Sequence, residues 1–324
     1  MRVFTFPEKS VFLAIVFLLS MVLGGAWPGA SLNASANEQS AAGAGTSEAY
    51  SFEWDGLDRR YLVYTPTGYD GSAPLPVVMA FHGGTGWAER FERTSGLDEM
   101  ADEFGFLVVY GEGTPVNRLF GNVWNAGDCC ARAGDAYDSV DDVGYVREVV
   151  RRGEASYSVD SDRVYATGMS NGAMLVHRLA CEASDLFAGF AAVSGTIQVD
   201  ECDPSRPVPM LMMHGTEDTS VPYEGGVGSG AGQVVAIPVE TLFQDWAERN
   251  SCSGISQTRS VDALERGVFS VDQFDALGCT EPVRLLRVNG GPHSWFGGDR
   301  VAMTRSGAKA SISSPEAIVE FFDL

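Results

Sequence analysis

Hydrophobic and polar positions alternate over two segments near residue 50, and continuous apolar runs follow. Ser51–Trp54 and Arg59–Tyr64 have the two-residue period of strands, and the intervening Asp55-Gly56 pair is typical of a hairpin turn. The first apolar run, Leu75–Phe81, contains no polar side chain. It therefore predicts a strand that is buried on both faces, as in a parallel sheet covered by helices.

Later segments repeat this pattern and add stretches with helical spacing. The predicted strands are Phe106–Tyr110, Arg163–Thr167, Phe187–Val193, Pro209–Met213 and Val283–Val288. The predicted helices are Val140–Arg152, capped by Asp138 or Ser139, then Asn171–Cys181 and Pro315–Phe322. Strands that alternate with helices predict an α/β fold with a doubly wound, mostly parallel sheet. Ligands of such sheets bind beyond the carboxyl ends of the strands, so we look for chemistry in the loops after strands.

The N-terminus has the pattern of a secretory signal peptide. Arg2 and Lys9 provide positive charge, Val11–Leu23 is apolar, and residues 34–36 are small enough for cleavage. The apolar run is short for a membrane-spanning helix, although an uncleaved anchor is the alternative. We therefore expect a secreted or periplasmic protein.

Three regions follow from this pattern. Residues 1–36 are the predicted signal peptide, and residues 37–47 are a small, polar lead-in that we expect to be disordered. Residues 48–324 are long enough for one large α/β domain.

The balance of charge excludes some partners. The 324-residue chain has 43 Asp and Glu against 22 Lys and Arg, a net charge of −21. Such a surface repels nucleic acids and anionic membranes, so we predict neither as a partner beyond export itself. We expect a monomer that acts on a small or polymer-attached substrate.

Six cysteines in an exported chain indicate disulfides. The spacing favours one bridge between Cys181 and Cys202, which would tie a helix to the next connection. A second bridge between Cys252 and Cys279 would hold the segment before the last strand.

Cys129 and Cys130 are adjacent, and three states are open to them. A bridge between the two is favoured over pairing elsewhere or reduced thiols. The chain has no CxxC pair with neighbouring histidines, so no metal site is predicted.

A Gly-x-Ser-x-Gly turn joins the strand Arg163–Thr167 to the helix after it. Gly168 and Gly172 flank Ser170 and allow the close backbone approach of a nucleophile elbow, in which the serine hydroxyl is exposed. Ser170 is therefore the candidate nucleophile.

A serine hydroxyl needs a base, and the chain has four histidines. His177 lies two helical turns beyond Ser170 and is expected to pack or to be solvated. His82 and His214 precede glycines at strand ends, where we expect their rings to hold loop geometry. His293 follows the last strand, the position of the base in α/β-hydrolases, and is the candidate base.

The orienting carboxylate is expected in the loop after the strand Pro209–Met213. Asp218 fits the His-Gly-x-x-Asp-x-x-Val-Pro arrangement there, and its neighbour Glu217 is the alternative.

Backbone N–H groups must bind the oxyanion that develops on a carbonyl substrate. The predicted donors are Asn171, directly after the nucleophile, and Gly84, with Thr85 as the alternative to Gly84.

Together these motifs resemble the secreted esterase family that includes polyhydroxybutyrate depolymerases and feruloyl esterases. The matching segments are His82–Gly84, Trp124–Cys130, Val140–Tyr145, Gly168–Met174, His214–Tyr223 and Gly290–Gly298. The chain departs from the pattern at Pro292, where glycine is common. The resemblance implies an α/β-hydrolase fold and ester hydrolysis through an acyl-enzyme, without a cofactor or a metal.

Four aromatic residues lie within a few positions of these motifs, and they are the predicted substrate-binding residues: Trp87, Trp124, Tyr223 and Trp295. An aromatic cleft would suit a phenolic acyl group, whereas loop packing is the alternative for each. We expect feruloyl, phenolic or other short acyl esters of plant polysaccharide as substrates. The alternatives are polyhydroxybutyrate depolymerase, serine peptidase and a non-catalytic binding protein.

Overall fold

The computed structural model describes residues 45–117, 121–129, 139–230, 232–259, 269–297 and 312–324. These residues all belong to one compact unit. The predicted signal peptide and most of the predicted lead-in lie outside them. Within the described ranges, no helix is both long and apolar enough to cross a bilayer.

The strands and helices are numbered along the chain. The strands are β1 (Thr46–Trp54), β2 (Leu57–Thr65), β3 (Leu75–Phe81), β4 (Leu107–Gly111), β5 (Thr114–Asn117), β6 (Gly121–Val123), β7 (Val159–Met169), β8 (Gly189–Val193), β9 (Met210–Gly215), β10 (Gly226–Val227), β11 (Val235–Ala236), β12 (Gly254–Arg259), β13 (Ser270–Leu277) and β14 (Val283–Asn289). The helices are α1 (Ala88–Ser95), α2 (Leu97–Phe104), α3 (Asp142–Ser156), α4 (Asn171–Glu182), α5 (Val239–Arg249) and α6 (Ser314–Phe322).

In the part of the chain that the structure describes, ten strands form one sheet in the order β1-β2-β4-β3-β7-β8-β9-β14-β13-β12. Neighbours from β4 to β14 are parallel, and the strands outside them are antiparallel. The predicted α/β architecture is confirmed. The loops after β3, β7, β9 and β14 therefore meet at one edge of the sheet.

Helices cover both faces of the sheet, which explains the uninterrupted apolar runs. In β3, Met79 and Phe81 belong to the hydrophobic cluster under α3, α4 and α5. Val78 and Ala80 belong to the cluster under α1, α2 and α6. All four side chains are fully buried, as alternation across a doubly covered sheet requires.

The sheet begins slightly earlier in the chain than predicted. Thr46 is the first residue of β1 and pairs with Thr65 of β2, so the lead-in predicted to end at residue 47 is too long. Pairing with β2 fixes these polar residues even though their sequence has no hydrophobic signal.

The predicted cap of α3 is also wrong. Asp141 caps this helix by accepting a hydrogen bond from the Gly144 N–H at 2.8 Å. Ser139 lies before the cap, and Asp138 lies outside the described residues. The helix starts at Asp142, two residues later than predicted, and this residue is buried in an ion pair with Arg59 at 2.6 Å.

Two predicted disulfides are confirmed. Cys181 in α4 is bonded to Cys202, and Cys252 is bonded to Cys279. The second bridge joins the segment just before β12 to the connection after β13. Cys130 lies outside the described residues, so the predicted Cys129–Cys130 bridge stays a prediction.

His177 packs inside the core, one of the two outcomes expected for it. Its ring stacks on Trp246, whose Nε1–H donates to His177 Nδ1 at 3.2 Å. Burial lowers the pKa of His177 to about 3. The folded protein therefore keeps this ring neutral, whereas the unfolded chain protonates it below about pH 6.5.

The His177→Gln variant tests this burial. Below pH 6.5, His177 of the unfolded wild type binds a proton, whereas His177 of the folded wild type stays neutral. The wild type therefore loses stability relative to the variant, which lacks this histidine. Between pH 6.5 and 4.5, we expect the free energy of unfolding of the wild type to fall by about 1.4 kcal/mol per pH unit relative to that of the variant. Urea unfolding at several pH values measures it. A difference between the two proteins that does not change with pH would contradict a buried neutral ring.

Candidate active site

Ser170 occupies a strained turn between β7 and α4. Its φ of 56° is positive, which non-glycine residues seldom adopt. A Cβ on Gly168 would lie 2.6 Å from the carbonyl carbon of Gly172, and a Cβ on Gly172 would overlap the Phe81 carbonyl oxygen. Glycine is therefore required on both sides of the serine, as the motif predicted.

His293 lies in the loop after β14, and its ring reaches Ser170. The distance from His293 Nε2 to Ser170 Oγ is 2.9 Å. The loop is held against the β9 end because the Glu217 N–H donates to the Gly291 carbonyl at 2.9 Å. Residues 123 positions apart in the chain thus form one hydrogen bond.

Asp218 completes the arrangement on the other side of the ring. Its Oδ2 is 2.7 Å from His293 Nδ1, and its Oδ1 accepts hydrogen bonds from the N–H groups of Ser220 and Val221, both at 2.8 Å. Its side chain is completely buried, whereas Glu217 is exposed. The structure therefore places Asp218, and not Glu217, beside the histidine.

The surroundings of Asp218 keep it ionised. Burial alone would raise the pKa of Asp218, but hydrogen bonds from His214 and His293 outweigh burial and hold the pKa well below its usual range. His214 Nε2 lies 3.3 Å from Asp218 Oδ2 and 2.9 Å from the Val221 carbonyl oxygen. His214 thus holds the acid loop, as predicted. Its direct contact with Asp218 was missed, although the spacing of four residues could have indicated it.

The loop after β3 is fixed through His82. His82 Nε2 accepts a hydrogen bond from the Gly113 N–H at 3.0 Å, so Nδ1 carries the proton and donates to the Gly83 carbonyl at 2.8 Å. Burial lowers the pKa of His82 to about 4, so the ring stays neutral. A neutral ring is required because Nε2 must accept a hydrogen bond.

The two predicted oxyanion donors are neighbours in space. A Cβ on Gly84 would lie 3.6 Å from the Asn171 Cβ, so the loop after β3 passes beside the start of α4. The Thr85 N–H already donates to the Asn122 carbonyl at 2.8 Å. This bond removes the alternative donor and leaves the Gly84 and Asn171 N–H groups as the candidates.

Glu112 supports the same loop and was missed by sequence reasoning. Its Oε2 accepts from the Ala88 N–H at 2.7 Å, and its Oε1 is hydrogen-bonded to Asn122 Nδ2. Asn122 in turn binds Thr85, so one buried carboxylate holds the loop from two sides. Burial raises the pKa of Glu112. No short sequence motif connects Glu112 with these partners.

A cavity of about 260 Å³ opens beside Ser170 and His293. Two of the four predicted substrate-binding residues, Trp87 and Trp295, line it. Trp87 is 46% exposed. Trp295 packs edge-on against Phe91, and its Nε1–H donates to the Ser95 carbonyl at 2.8 Å.

The other two predicted substrate-binding residues do not line this cavity. Trp124 is fully buried, and its Nε1–H donates to the His82 carbonyl at 2.9 Å. Tyr223 is 4% exposed, and its hydroxyl donates to Glu240 at 3.2 Å. Both residues pack in the core behind the catalytic loops, so the prediction that they line the cleft is wrong.

The side chain of Asn171 explains why Trp124 is held there. Asn171 Oδ1 accepts from the Trp124 N–H at 2.7 Å, and Nδ2 donates to the Trp124 carbonyl at 3.0 Å. Asn171 therefore fixes this segment to the start of α4.

A mostly parallel sheet, a nucleophile elbow and a hydrogen-bonded Ser170–His293–Asp218 relay at its carboxyl edge together define an α/β-hydrolase. Comparison with known families agrees. The family model described as Esterase PHB depolymerase matches residues 59–221, and the chain belongs to this family.

Individual relatives extend the similarity beyond that segment. Feruloyl esterase B of Piromyces equi is 26% identical over 243 residues, which cover 73% of this chain and 42% of the relative. The putative esterase NocK of Nocardia uniformis subsp. tsuyamanensis is 32% identical over 236 residues, which cover 69% of this chain and 66% of the relative. The match thus spans less than two thirds of each relative's length.

Among solved structures, the acetyl xylan esterase from Aspergillus awamori superimposes with a TM-score of 0.56. The sequences are 15% identical, and the match covers 86% of this chain and 99% of that one. At this identity the likeness shows a shared fold.

Proposed function

We propose that this protein is an exported serine carboxylic-ester hydrolase that acts through an acyl-enzyme. The observation that carries the proposal is the continuous chain of hydrogen bonds from Ser170 Oγ through His293 to Asp218. Membership in an esterase family supports the same chemistry.

In the first half-reaction, Ser170 Oγ forms a bond to the ester carbonyl carbon as its proton moves to His293 Nε2. The buried Asp218 carboxylate stabilises the imidazolium that forms. The carbonyl oxygen becomes an oxyanion and accepts hydrogen bonds from the Gly84 and Asn171 N–H groups. Collapse of this intermediate breaks the bond to the alcohol oxygen, which takes the proton from His293.

In the second half-reaction, His293 accepts a proton from water while the water oxygen adds to the acyl-serine carbonyl. The same N–H groups stabilise the second oxyanion. Its collapse returns the proton to Ser170 Oγ and releases the carboxylic acid. One water is consumed per ester, and the enzyme is regenerated.

The cavity favours a short or phenolic acyl group. Its volume of about 260 Å³ is smaller than that of pockets for drug-sized ligands. Apolar side chains cover much of its wall, including Trp87, Phe91, Met169 and Trp295. Feruloyl and other short acyl esters of plant polysaccharide are therefore the first candidate. Polyhydroxybutyrate is the second, because the family description names its depolymerases.

A panel of rates distinguishes these substrates. We expect the highest kcat/KM with methyl ferulate or acetylated xylan and a lower value with hydroxybutyrate oligomers. A higher value with the oligomers would establish the second candidate. Cleavage of peptide anilides without cleavage of any ester would contradict the proposal and indicate a peptidase, and inertness to every substrate would indicate a binding protein.

The proposed reaction uses no cofactor or metal. Among the residues that the structure describes, no cluster of three or more His, Cys, Asp or Glu side chains could hold a metal ion. Because Ser170, His293 and Asp218 carry out every proton transfer of the proposed reaction, dialysis against EDTA is expected to leave the rate with 4-nitrophenyl butyrate unchanged. A loss of rate that zinc or calcium restores would contradict this expectation.

The Glu112→Gln variant tests the support of the oxyanion loop. Glutamine supplies one acceptor oxygen, so it cannot accept from both Ala88 and Asn122 as Glu112 does. We expect kcat for 4-nitrophenyl butyrate to fall about tenfold with little change in KM, because the loop binds the oxyanion and not the ground state.

Glu89→Gln is the matched control, since Glu89 lies on α1, the helix that Glu112 binds at Ala88, but pairs with Arg60 at the surface. It should retain the wild-type kcat. Equal kcat values for wild type and the Glu112 variant would show that the loop does not depend on this carboxylate.

A further inference from the structure

One face of α1 forms a wall of the active-site cavity. The residues on this face recur at helical spacing, and they are Trp87, Arg90, Phe91 and Thr94. Thr94 donates its hydroxyl hydrogen bond to the Arg90 carbonyl, within the helix. The start of α1 is anchored at Ala88 by Glu112, so this wall is fixed to the same loop as the oxyanion donors.

Among the described residues that line this cavity, Arg90 is the only Arg, Lys, Asp or Glu. This composition is unusual for a chain whose net charge is −21. The catalytic carboxylate, Asp218, is fully buried behind His293 and does not line the cavity. Among the lining residues that the structure describes, a substrate that enters therefore meets a cationic group and no carboxylate.

The guanidinium of Arg90 has no protein partner within the described residues. Other arginines of this protein pair with carboxylates, as Arg60 does with Glu89 at 2.9 Å and Arg284 with Asp275 at 2.6 Å. Others stack on rings, as Arg59 does on Tyr145. Arg90 makes neither kind of contact in the part of the chain that the structure describes, and it is exposed to solvent. The N–H donors of its guanidinium are therefore available to a ligand.

We propose that Arg90 binds an anionic group of the substrate, so that esters carrying a carboxylate near the scissile bond are preferred. This inference rests on the proposed esterase function and narrows its substrate class. A guanidinium matches the geometry of a carboxylate and can bind both of its oxygens. The cavity that contains Arg90 also contains Ser170 and His293, so one small substrate can contact all three.

The negative charge of the protein increases the importance of this residue. The surrounding surface repels anions in general, whereas Arg90 in the cleft gives them a favourable position. The carboxylate could belong to the acyl part, as in a half-ester of a dicarboxylic acid. It could also belong to the alcohol part, as at the acid end of a hydroxyacid oligomer.

The experiment compares each carboxylate ester with its neutral carboxamide. The acyl arm uses monomethyl adipate and methyl 6-amino-6-oxohexanoate, and the alcohol arm uses 3-butanoyloxybutanoate and 3-butanoyloxybutanamide. Titration of the released acid gives kcat/KM, and the carboxylate-to-carboxamide ratio is the readout. We expect Arg90→Gln to lower this ratio about fivefold in one arm, which identifies the part that carries the anion.

Two further variants separate a specific contact from a general effect of charge. Arg90→Lys should give a ratio between those of the wild type and Arg90→Gln, because lysine keeps the charge but lacks the paired N–H donors of a guanidinium. Arg93→Gln removes an exposed positive charge from the same helix at a residue that does not line the cavity, and it should give the wild-type ratio. The wild-type ratio should also fall as NaCl is added.

Equal ratios for wild type and Arg90→Gln in both arms would overturn the anion site, as would an equal loss in Arg93→Gln. If the wild type hydrolyses neither these esters nor any ester of the rate panel, the proposed function fails, and a binding measurement then tests the anion site on its own. Monomethyl adipate should raise the Tm of Ser170→Ala but not that of Ser170→Ala/Arg90→Gln. Equal shifts in these two proteins would overturn the anion site.

Discussion

Replacing Ser170 by alanine is expected to lower kcat for 4-nitrophenyl acetate at least about 10⁴-fold. The hydroxyl that the change removes is the only one within hydrogen-bond distance of His293 Nε2 among the described residues. The proton transfer that activates the nucleophile therefore has no donor in the variant. The oxyanion donors and the cavity remain, so a small residual rate above the uncatalysed reaction is expected.

The fold should survive this change. Alanine keeps the Cβ that already occupies the turn at positive φ, and the Ser170 N–H to Val193 carbonyl bond at 2.9 Å involves only backbone. We therefore expect a Tm within about 2 °C of the wild type, since a partly exposed hydroxyl contributes well under 1 kcal/mol to the free energy of unfolding.

Ser220→Ala is the matched control for the serine. Ser220 lies in the acid loop, where its backbone N–H, and not its hydroxyl, binds Asp218. It should keep the wild-type kcat. Wild-type turnover by Ser170→Ala would exclude Ser170 as the nucleophile.

Replacing Asp218 by asparagine is expected to lower kcat about 10³- to 10⁴-fold. Oδ1 of the asparagine can still accept from the N–H groups of Ser220 and Val221. Its Nδ2 then faces His293 Nδ1, where the carboxylate oxygen stands 2.7 Å away in the wild type. An amide N–H donates, so His293 must accept at Nδ1 and carry its proton on Nε2. This tautomer cannot take a proton from Ser170.

Glu217→Gln is the control for this change, because Glu217 is an exposed carboxylate next to Asp218. Its kcat should match that of the wild type. A large loss of kcat in Glu217→Gln together with a wild-type kcat in Asp218→Asn would show that Glu217, and not Asp218, is the catalytic acid residue of the relay.

Much of this site could be predicted because its signals are local. The elbow needs two glycines around Ser170, and steric overlap at both positions accounts for the motif. The loops that carry Asp218 and His293 follow buried strands, and a parallel sheet brings the ends of such strands together. Fold class and the positions of the three residues thus follow from periodicity and chain order.

Other parts depend on contacts between distant residues, and the sequence did not reveal them. Helix α1 has Phe91 as its only large apolar side chain, so too few apolar residues recur to indicate a helix from the sequence. Its first residue is held by Glu112, which lies 24 residues beyond the Ala88 N–H that it binds. Nothing near Glu112 in the chain indicates this contact.

The aromatic residues show the same limit. Trp124 and Trp295 both lie close to catalytic motifs, yet Trp124 is fully buried and Trp295 lines the cavity. The difference arises because the Asn171 side chain binds the backbone of Trp124 and holds it in the core. Proximity along the chain cannot reveal these hydrogen bonds between Asn171 and Trp124.

Mapping of a fluorophosphonate adduct tests the central claim most directly, because this reagent captures only a serine that a neighbouring base activates. After labelling of the intact protein, mass spectrometry of its peptides should find one phosphonyl group per molecule, on Ser170. The label should be absent from Ser170→Ala and strongly slowed in Asp218→Asn. A label on another residue of an active enzyme, or an active enzyme that takes up none, would contradict the relay of Ser170, His293 and Asp218.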